Sequence, residues 1–170
     1  MMNETKNKLE NKYLEYKEHL DKEFERKKQE SQLKTNVFSQ ISESRMKNLD
    51  MKLIYLLNYA LATYSRDFSI LEGERTIARQ QTLYQQGRTI PGAVVTNCDG
   101  VIKKSKHQVD EYGKVKAVDL LPYPFKGWKD TESFEHLSKH IKRCADKFKI
   151  KIAWGGDWKM IDLPHFELQE

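Results

Sequence analysis

Residues 116–122 read KAVDLLP, an apolar stretch with one acid at its centre. Side chains alternate between the two faces of a β-strand, so Val118 and Leu120 share one face while Asp119 lies on the other. The aliphatic composition predicts a strand, and we expect Pro122 to stop it because proline cannot donate to a ladder. Asp119 is therefore a candidate functional residue on an otherwise apolar strand.

A second stretch, PHFEL at residues 164–168, alternates in the same way. Phe166 and Leu168 share one face, which we assign to the core, and His165 and Glu167 share the other. One acid and one histidine can therefore project from the same side of one sheet.

The rest of the main domain alternates helices with short strands. Two more strands are predicted from FSILEG (68–73) and IKIAW (150–154), and a turn from GGDWKMID (155–162). Helices are predicted over residues 49–64, over residues 75–87 with Gly87 as its end, and over residues 130–148 with Asp130 as N-cap. Residues 88–115 predict a long loop. The expected class is α+β, a small antiparallel sheet packed with helices.

The first 36 residues differ in character from the rest. They carry nine Lys or Arg and eight Asp or Glu residues, with a thin apolar stripe at helical spacing. The stripe consists of Leu9, Tyr13, Tyr16, Leu20 and Phe24. We therefore divide the chain into a charged, amphipathic helical extension, residues 1–36, and one domain, residues 37–170.

Composition limits the classes of function. The 170 residues carry a net charge of +5 with a pI near 9.0, which suits an anionic partner such as a nucleic acid, an anionic lipid or a wall polymer. No apolar run is long enough to span a bilayer. The polar start of the chain predicts that it has no secretory signal peptide and is made in the cytoplasm. Cys98 and Cys144 are expected to be free thiols rather than a disulfide framework or a metal site.

Asp119 and His165 have a third possible partner in His107, which lies in the loop sequence SKHQ. All three side chains are competent zinc ligands, and three protein ligands with a fourth position open to water are typical of catalytic zinc. Asp162 would then be the free acid beside the metal, able to take a proton from water and pass it on.

A second histidine pair must be weighed. His136 and His140 are spaced like the histidines of HExxH zinc peptidases, but no glutamate follows the first of them. Both fall away from the apolar stripe of their helix, so we assign them to a solvated face.

Five segments in order resemble the D-Ala-D-Ala carboxypeptidase-like zinc peptidases, and within them the L-alanyl-D-glutamate endopeptidase branch that includes many phage endolysins. They are LYQQGRTIPGAVVTN, SKH, AVDLLPY, WGGDW and DLPHFEL. The resemblance runs from about residue 38 to residue 170. It implies a zinc peptidase that acts on peptidoglycan stem peptides.

The resemblance also implies roles for individual residues. His107, Asp119 and His165 match the metal ligands, and Asp162 matches the catalytic acid three residues before the last ligand. Two further matches concern the substrate: Ser105, two residues before the first ligand, and Arg75, as the anchor of a substrate carboxylate. Gln80 is a weaker match, and Trp154 and Trp158 either wall the cleft or fill the core.

One departure concerns the eleven residues QVDEYGKVKAV between His107 and Asp119, about twice the usual separation. They are polar and include Gly113, so we expect them to loop out at the mouth of the site at little cost. Asp110 lies in this insertion and is rejected as a ligand in favour of Asp119.

The function that the resemblance implies is hydrolysis of the L-alanyl-D-glutamate bond by an endolysin-like enzyme, released to the wall by a separate holin-type protein. We expect no nucleic-acid partner and no membrane-spanning segment, and the oligomeric state is left open. The alternatives are a D-Ala-D-Ala carboxypeptidase and a non-catalytic, wall-binding zinc domain, against which an intact Asp162 argues. Salt-dependent binding of DNA without wall hydrolysis would indicate a nucleic-acid-binding protein instead.

Overall fold

The computed structural model describes residues 36–169, together with Glu18, Asp21, Lys22 and Arg26. Those four residues are helical and exposed, and the rest of the predicted N-terminal helix lies outside the described residues. The chain divides into two units, residues 1–35 and residues 36–170. Independent folding of the second unit stays a prediction.

The second unit contains four helices and four strands within its described residues. The helices are α1 (Gln40–Arg45), α2 (Met51–Thr63), α3 (Ile77–Gln85) and α4 (Thr131–Lys147). The strands are β1 (Asp67–Glu72), β2 (Ala117–Tyr123), β3 (Ile152–Trp154) and β4 (His165–Leu168), and a single 3₁₀ turn, Gly155–Asp157, follows β3. No helix in this described part is both long and apolar enough to cross a bilayer.

The four strands form one antiparallel sheet in the order β1-β2-β4-β3. Val118 and Leu120 of β2 are fully buried, as are Phe166 of β4 and Ile70 of β1. These side chains lie on the face predicted from the alternation. The α+β class with a small antiparallel sheet is confirmed.

Helices α2 and α4 pack against each other, and α4 also packs against β2 and β3. Asp130 caps α4 by accepting a hydrogen bond from the backbone N–H of Ser133, as predicted. The buried stripe of α4 includes Phe134, Leu137 and Ile141, each of which loses its contact with water on folding and stabilises the domain by about 1.5–3 kcal/mol.

Pro122 does not stop β2, which continues to Tyr123. The prediction was wrong because the missing N–H lies where no ladder bond is needed. The N–H of Leu120 points toward the β4 side and donates to the carbonyl of Pro164. Two residues later, the nitrogen of Pro122 points to the same side of the strand, but β4 does not extend that far. Only β1 pairs with this part of β2.

His140 does not lie on a solvated face, so that prediction was also wrong. It is buried between α4 and the end of α2, with Nε2 2.9 Å from the carbonyl oxygen of Ala60 and its ring 4.7 Å from the ring of Tyr64. His136 is half-buried, and its Nδ1 lies 2.7 Å from the hydroxyl of Tyr64. The end of α2 covers the flank of α4 next to its apolar stripe, which a helical wheel of α4 alone does not show.

The burial of His140 predicts a loss of stability in acid. Burial lowers the pKa of His140, and the hydrogen bond to Ala60 only partly opposes this shift. The unfolded chain, with a histidine pKa near 6.5, therefore binds the proton more readily. The stabilisation present above about pH 6.5 is lost as the pH falls through the folded pKa.

Urea unfolding at about pH 7.5 and about pH 5 tests this expectation, with His140→Gln as the comparison. Glutamine keeps a donor for the Ala60 carbonyl but does not titrate. The free energy of unfolding of the wild type should fall more between the two pH values than that of the variant. An equal fall in both proteins would contradict the assignment.

The long predicted loop is present between α3 and β2, and side chains and turns hold it in place. Gln80 of α3 is fully buried, and its amide donates to the carbonyl of Cys98. Gly87 ends the α3 region with a positive φ of 72°, which glycine adopts without strain. Gly113, also at positive φ, lies in a tight turn that Asp110 closes by accepting from the backbone N–H groups of residues 112 and 114. Residues 109–114 thus loop out, whereas Gln108 and Val115 on either side are buried. The position of this loop at the mouth of the site stays a prediction.

Candidate metal site

Three predicted ligands meet at one point. Asp119 of β2 lies directly opposite His165 of β4 in the antiparallel register, where paired side chains are neighbours. His107 enters from the loop before β2, held by its carbonyl, which accepts from the N–H of Arg75, and by its N–H, which donates to Ser105 Oγ. All three ligands are buried, and His107 is only 1% exposed.

The three ligand atoms form a nearly equilateral triangle. His107 Nε2 lies 3.2 Å from Asp119 Oδ1 and 3.2 Å from His165 Nδ1, and His165 Nδ1 lies 3.1 Å from Asp119 Oδ1. Two ligand atoms bonded to one tetrahedral metal at 2.0–2.1 Å would be about 3.3 Å apart. The triangle is therefore the right size for one metal ion.

Hydrogen bonds on the far side of each ring decide which nitrogen faces inward. His107 Nδ1 is 2.7 Å from the carbonyl of Gly73, and His165 Nε2 is 3.2 Å from Glu167 Oε2. Both partners only accept, so each of these nitrogens carries a proton. If both rings were neutral, two nitrogen lone pairs and a carboxylate oxygen would point at one another, so this position favours either a proton or a metal ion between them.

The carboxylate ligand is oriented in the same manner. Asp119 Oδ2 accepts from Arg75 Nη2 at 3.2 Å, while Arg75 itself donates to Glu72 and to Gln80. Burial alone would raise the pKa of Asp119, but the adjacent His107 and His165 outweigh it and hold that pKa well below its usual range. Asp119 is therefore an anion, as a metal ligand must be.

A proton on Nδ1 of His165 competes with a metal ion for the same position. Burial would lower its pKa, but the hydrogen bonds to Asp119 and Glu167 outweigh burial and raise it to about 9. For Glu167, burial opposes ionisation, yet His165 and Lys106 lower its pKa to about 2. A bound metal must displace the proton that this pair otherwise holds, so metal affinity should depend on pH.

Asp162 lies beside the three predicted ligands and is not a member of the group that could hold a metal. Its N–H donates to the carbonyl of Gly155, and its carbonyl accepts from the N–H of His165. A side chain at Gly155 would come within 2.4 Å of the Asp162 carbonyl, so only glycine allows this close approach. Among the described residues no hydrogen bond engages the Asp162 carboxylate, and burial and the charge of Asp119 raise its pKa. Such a carboxylate is suited to receive and return a proton.

The two tryptophans that the sequence left open, as cleft wall or as core, have different positions. Trp154 is 6% exposed, stacks on Phe166 and donates from Nε1 to the carbonyl of Leu163, so it belongs to the core. Trp158 is 36% exposed, and its ring lies 4.9 Å from the ring of His165, so it borders the site.

The other residues considered from the sequence, Arg75, Ser105 and Asp110, lie outside the group of three predicted ligands. Arg75 is largely buried, and its donors are engaged by protein acceptors, so in this structure it orients Asp119. Ser105 holds the turn that carries His107. Asp110 closes the turn of the insertion. Contact of Arg75 or Ser105 with a substrate stays a prediction.

Within the described residues, one group of three or more potential ligands can hold a metal, and it does not include His136 or His140. The sequence analysis gave no role to Glu72, which holds Arg75, or to Glu167, which holds His165. The alternation of β4 had already placed Glu167 on the same face as His165, which was the signal for its role.

The hydrogen bond from His165 to Glu167 predicts the effect of removing the carboxylate. Glu167→Ala frees the outer nitrogen of the ring, so Nδ1 is no longer reserved for the metal. We expect metal affinity to fall by roughly 10- to 100-fold, as for other partners of metal-bound histidines. Competition titration with a chromogenic chelator measures this directly, with Glu74→Ala as the control because Glu74 contacts Asn48 at the surface. Unchanged affinity in Glu167→Ala would show that β4 alone orients His165.

Comparison with known proteins identifies the family. A sequence model of the phage L-alanyl-D-glutamate peptidase family matches residues 35–169. The L-alanyl-D-glutamate peptidase of Escherichia phage T5 is 27% identical over 135 residues, a match that spans 78% of this chain and 88% of that protein. The crystal structure of the L-Ala D-Glu endopeptidase ChiX of Serratia marcescens superposes with a TM-score of 0.60 at 25% identity, covering 80% of this chain and 92% of that one. The resemblance inferred from the five segments is confirmed: the chain belongs to the phage L-alanyl-D-glutamate peptidase family.

Proposed function

We propose that this chain is a zinc peptidase that hydrolyses the L-alanyl-D-glutamate bond in the stem peptides of peptidoglycan. The observation that carries the proposal is the convergence of His107, Asp119 and His165, with both imidazole tautomers set by outer hydrogen bonds, in a chain of this peptidase family. Two imidazoles and one carboxylate, with a further position open, are a donor set typical of catalytic zinc.

The three ligands would hold the metal, and the neighbouring residues would carry the proton. Bound zinc lowers the pKa of water toward 7 and polarises a carbonyl group. Asp162 takes the proton that water loses as its oxygen bonds to the carbonyl carbon of the scissile peptide. As the carbon–nitrogen bond breaks, Asp162 returns that proton to the leaving amine. Its raised pKa suits both halves of this cycle.

Residues around the ligands keep this arrangement in place. Arg75 and Glu167 fix Asp119 and His165, and Trp158 borders the ligand His165. We retain Arg75 and Ser105 as residues that contact the substrate. For Arg75 this requires a substrate carboxylate to replace one of its protein partners, since its side chain is bound to Glu72 and Asp119.

Peptidoglycan lies outside the cytoplasmic membrane, so the enzyme would act there. The net charge of +5 is compatible with an anionic wall. Release by a separate membrane-permeabilising protein of the holin type stays part of the proposal.

The ligand assignment predicts the metal content of single variants. His107→Ala, Asp119→Ala and His165→Ala should each lose most of the zinc and essentially all hydrolysis, because each removes one of three ligands. Elemental analysis after gel filtration measures the bound metal. His136→Gln is the matched control, since this histidine lies outside the site; loss of zinc from it would mean that the metal binds elsewhere.

Asp162→Asn separates proton transfer from metal binding. Asparagine is nearly isosteric but cannot accept the proton, so we expect full zinc content and a loss of turnover of roughly a hundred- to ten-thousand-fold. Elemental analysis and steady-state kinetics on one preparation supply both values. A zinc-free variant would make Asp162 a ligand, and near-normal turnover would remove it from the mechanism.

The products identify the bond. Digestion of purified peptidoglycan should create new amino termini on D-glutamate, detected by amino-group labelling and mass spectrometry. Release of free D-alanine as the sole product would indicate a carboxypeptidase. Zinc binding and wall binding without any new terminus would indicate a non-catalytic wall-binding domain.

A further inference from the structure

A cluster of exposed aromatic residues follows β2 outside the metal site. Tyr123, Phe125 and Trp128 are 64%, 42% and 57% exposed. The rings of Phe125 and Trp128 are 5.0 Å apart and lie 6.4 and 6.3 Å from the buried ring of Phe134 in α4. The core thus anchors these rings while they stay open to solvent. Contiguous exposed apolar surface of this kind marks binding sites.

The same segment borders a cavity of about 510 Å³, within the range of small-molecule sites. Tyr123, Pro124 and Lys126 line it. Its polar lining residues include Ser65, Asp67, Asp130 and Glu132. Asp130 Oδ1 caps α4, whereas its Oδ2 has no hydrogen-bond partner among the described residues.

The lining selects a class of ligand. Tyr123 is the aromatic residue of the lining, beside carboxylates and hydroxyls, and Phe125 and Trp128 follow it in the same segment. This combination suits a sugar, whose C–H face packs on an aromatic ring while its hydroxyl groups donate to oxygen acceptors. Three carboxylates and the two cations Arg66 and Lys126 line the cavity, so a polyanion such as a nucleic acid would meet its own charge there. A neutral, polar ring fits better than an anionic chain.

The spacing along β2 relates this surface to the proposed chemistry. Tyr123 and Asp119 lie four residues apart on the same face of one strand, roughly 13 Å at the rise of a β-strand. In peptidoglycan, L-alanine links the stem peptide to the amino sugar. The first sugar therefore begins within about one or two residue lengths of the bond, at about 3.5 Å per residue. It would lie between the metal site and Tyr123, and a glycan that continues beyond it would reach residues 123–128.

We propose that residues 123–128 and the adjoining cavity form a subsite for the glycan strand, built from N-acetylated amino sugars, of the same peptidoglycan whose peptide is cut at the metal. This inference rests on the proposed endopeptidase function. The subsite favours peptides that are still attached to glycan over free peptides.

Kinetics with two matched substrates test the subsite in the full-length zinc enzyme. One substrate is a free stem peptide, and the other is the same peptide on its disaccharide. Trp128→Ala should lower kcat/KM for the disaccharide-linked peptide by roughly three- to tenfold, the effect of losing one ring contact, and leave the free peptide unchanged. Trp128→Tyr should retain the preference, as should Ile41→Ala, an exposed apolar control on α1.

An unchanged ratio of the two kcat/KM values in Trp128→Ala would overturn the subsite and leave the peptidase function standing. If neither substrate is cut, the proposed peptidase function is wrong, and the subsite is tested by sugar binding alone. In that case the full chain is titrated with the tetramer of N-acetylglucosamine by NMR. Shifts at residues 123–128 support the subsite, and no shifts at about 10 mM sugar, weaker than a millimolar Kd, overturn it. A wild-type dimer that Trp128→Ala makes monomeric would assign the surface to a second copy of the chain and also overturn it.

Discussion

The buried convergence of three potential metal ligands is the constraint around which this domain is organised. His107 Nε2, His165 Nδ1 and Asp119 Oδ1 approach within 3.1–3.2 Å of one another in a buried position. Desolvated acceptors at that distance are costly unless a cation lies between them. A proton on His165 satisfies this requirement, and a metal ion bound in its place should stabilise the folded state.

The scaffold supplies this geometry through a few strong local constraints. Antiparallel pairing of β2 and β4 sets Asp119 opposite His165, so a slip of one residue would move one of them to the core face. His107 depends on the loop instead, through the carbonyl of Gly73 and the N–H of Arg75. The network of Glu72, Arg75 and Gln80 links that loop, α3 and β1 to the carboxylate ligand. Such buried polar networks work only when every member is satisfied.

Polar contacts also shape the packing on the opposite side of the sheet. His140 lies in the seam between α2 and α4, bound to the carbonyl of Ala60 and next to the hydroxyl of Thr63 and the thiol of Cys144. Burial raises the pKa of the Cys144 thiol to about 11, so it is a neutral, packed group and not a nucleophile. The two histidine groups of the domain thus differ in role because their surroundings differ. Carboxylates contact His165, whereas a carbonyl, a hydroxyl, a thiol and the ring of Tyr64 contact His140.

Sequence alone predicted the four strands, three of the four helices and the candidate ligands His107, Asp119 and His165, but not the helix α1. Alternation in KAVDLLP and PHFEL placed Asp119 and His165 on one face, and the order of five segments identified the family and Asp162 beside the last ligand. Tertiary structure decided what depends on neighbours distant in the chain. Pro122 is tolerated because the pairing of β2 with β4 stops at Asp119 and His165 and does not reach it. His140 is buried because α2 covers its flank of α4. Arg75 orients Asp119 because Glu72 and Gln80 engage its other donors. Strand alternation and helix caps follow from local geometry, whereas burial and hydrogen-bond partners depend on which surfaces the folded chain brings together.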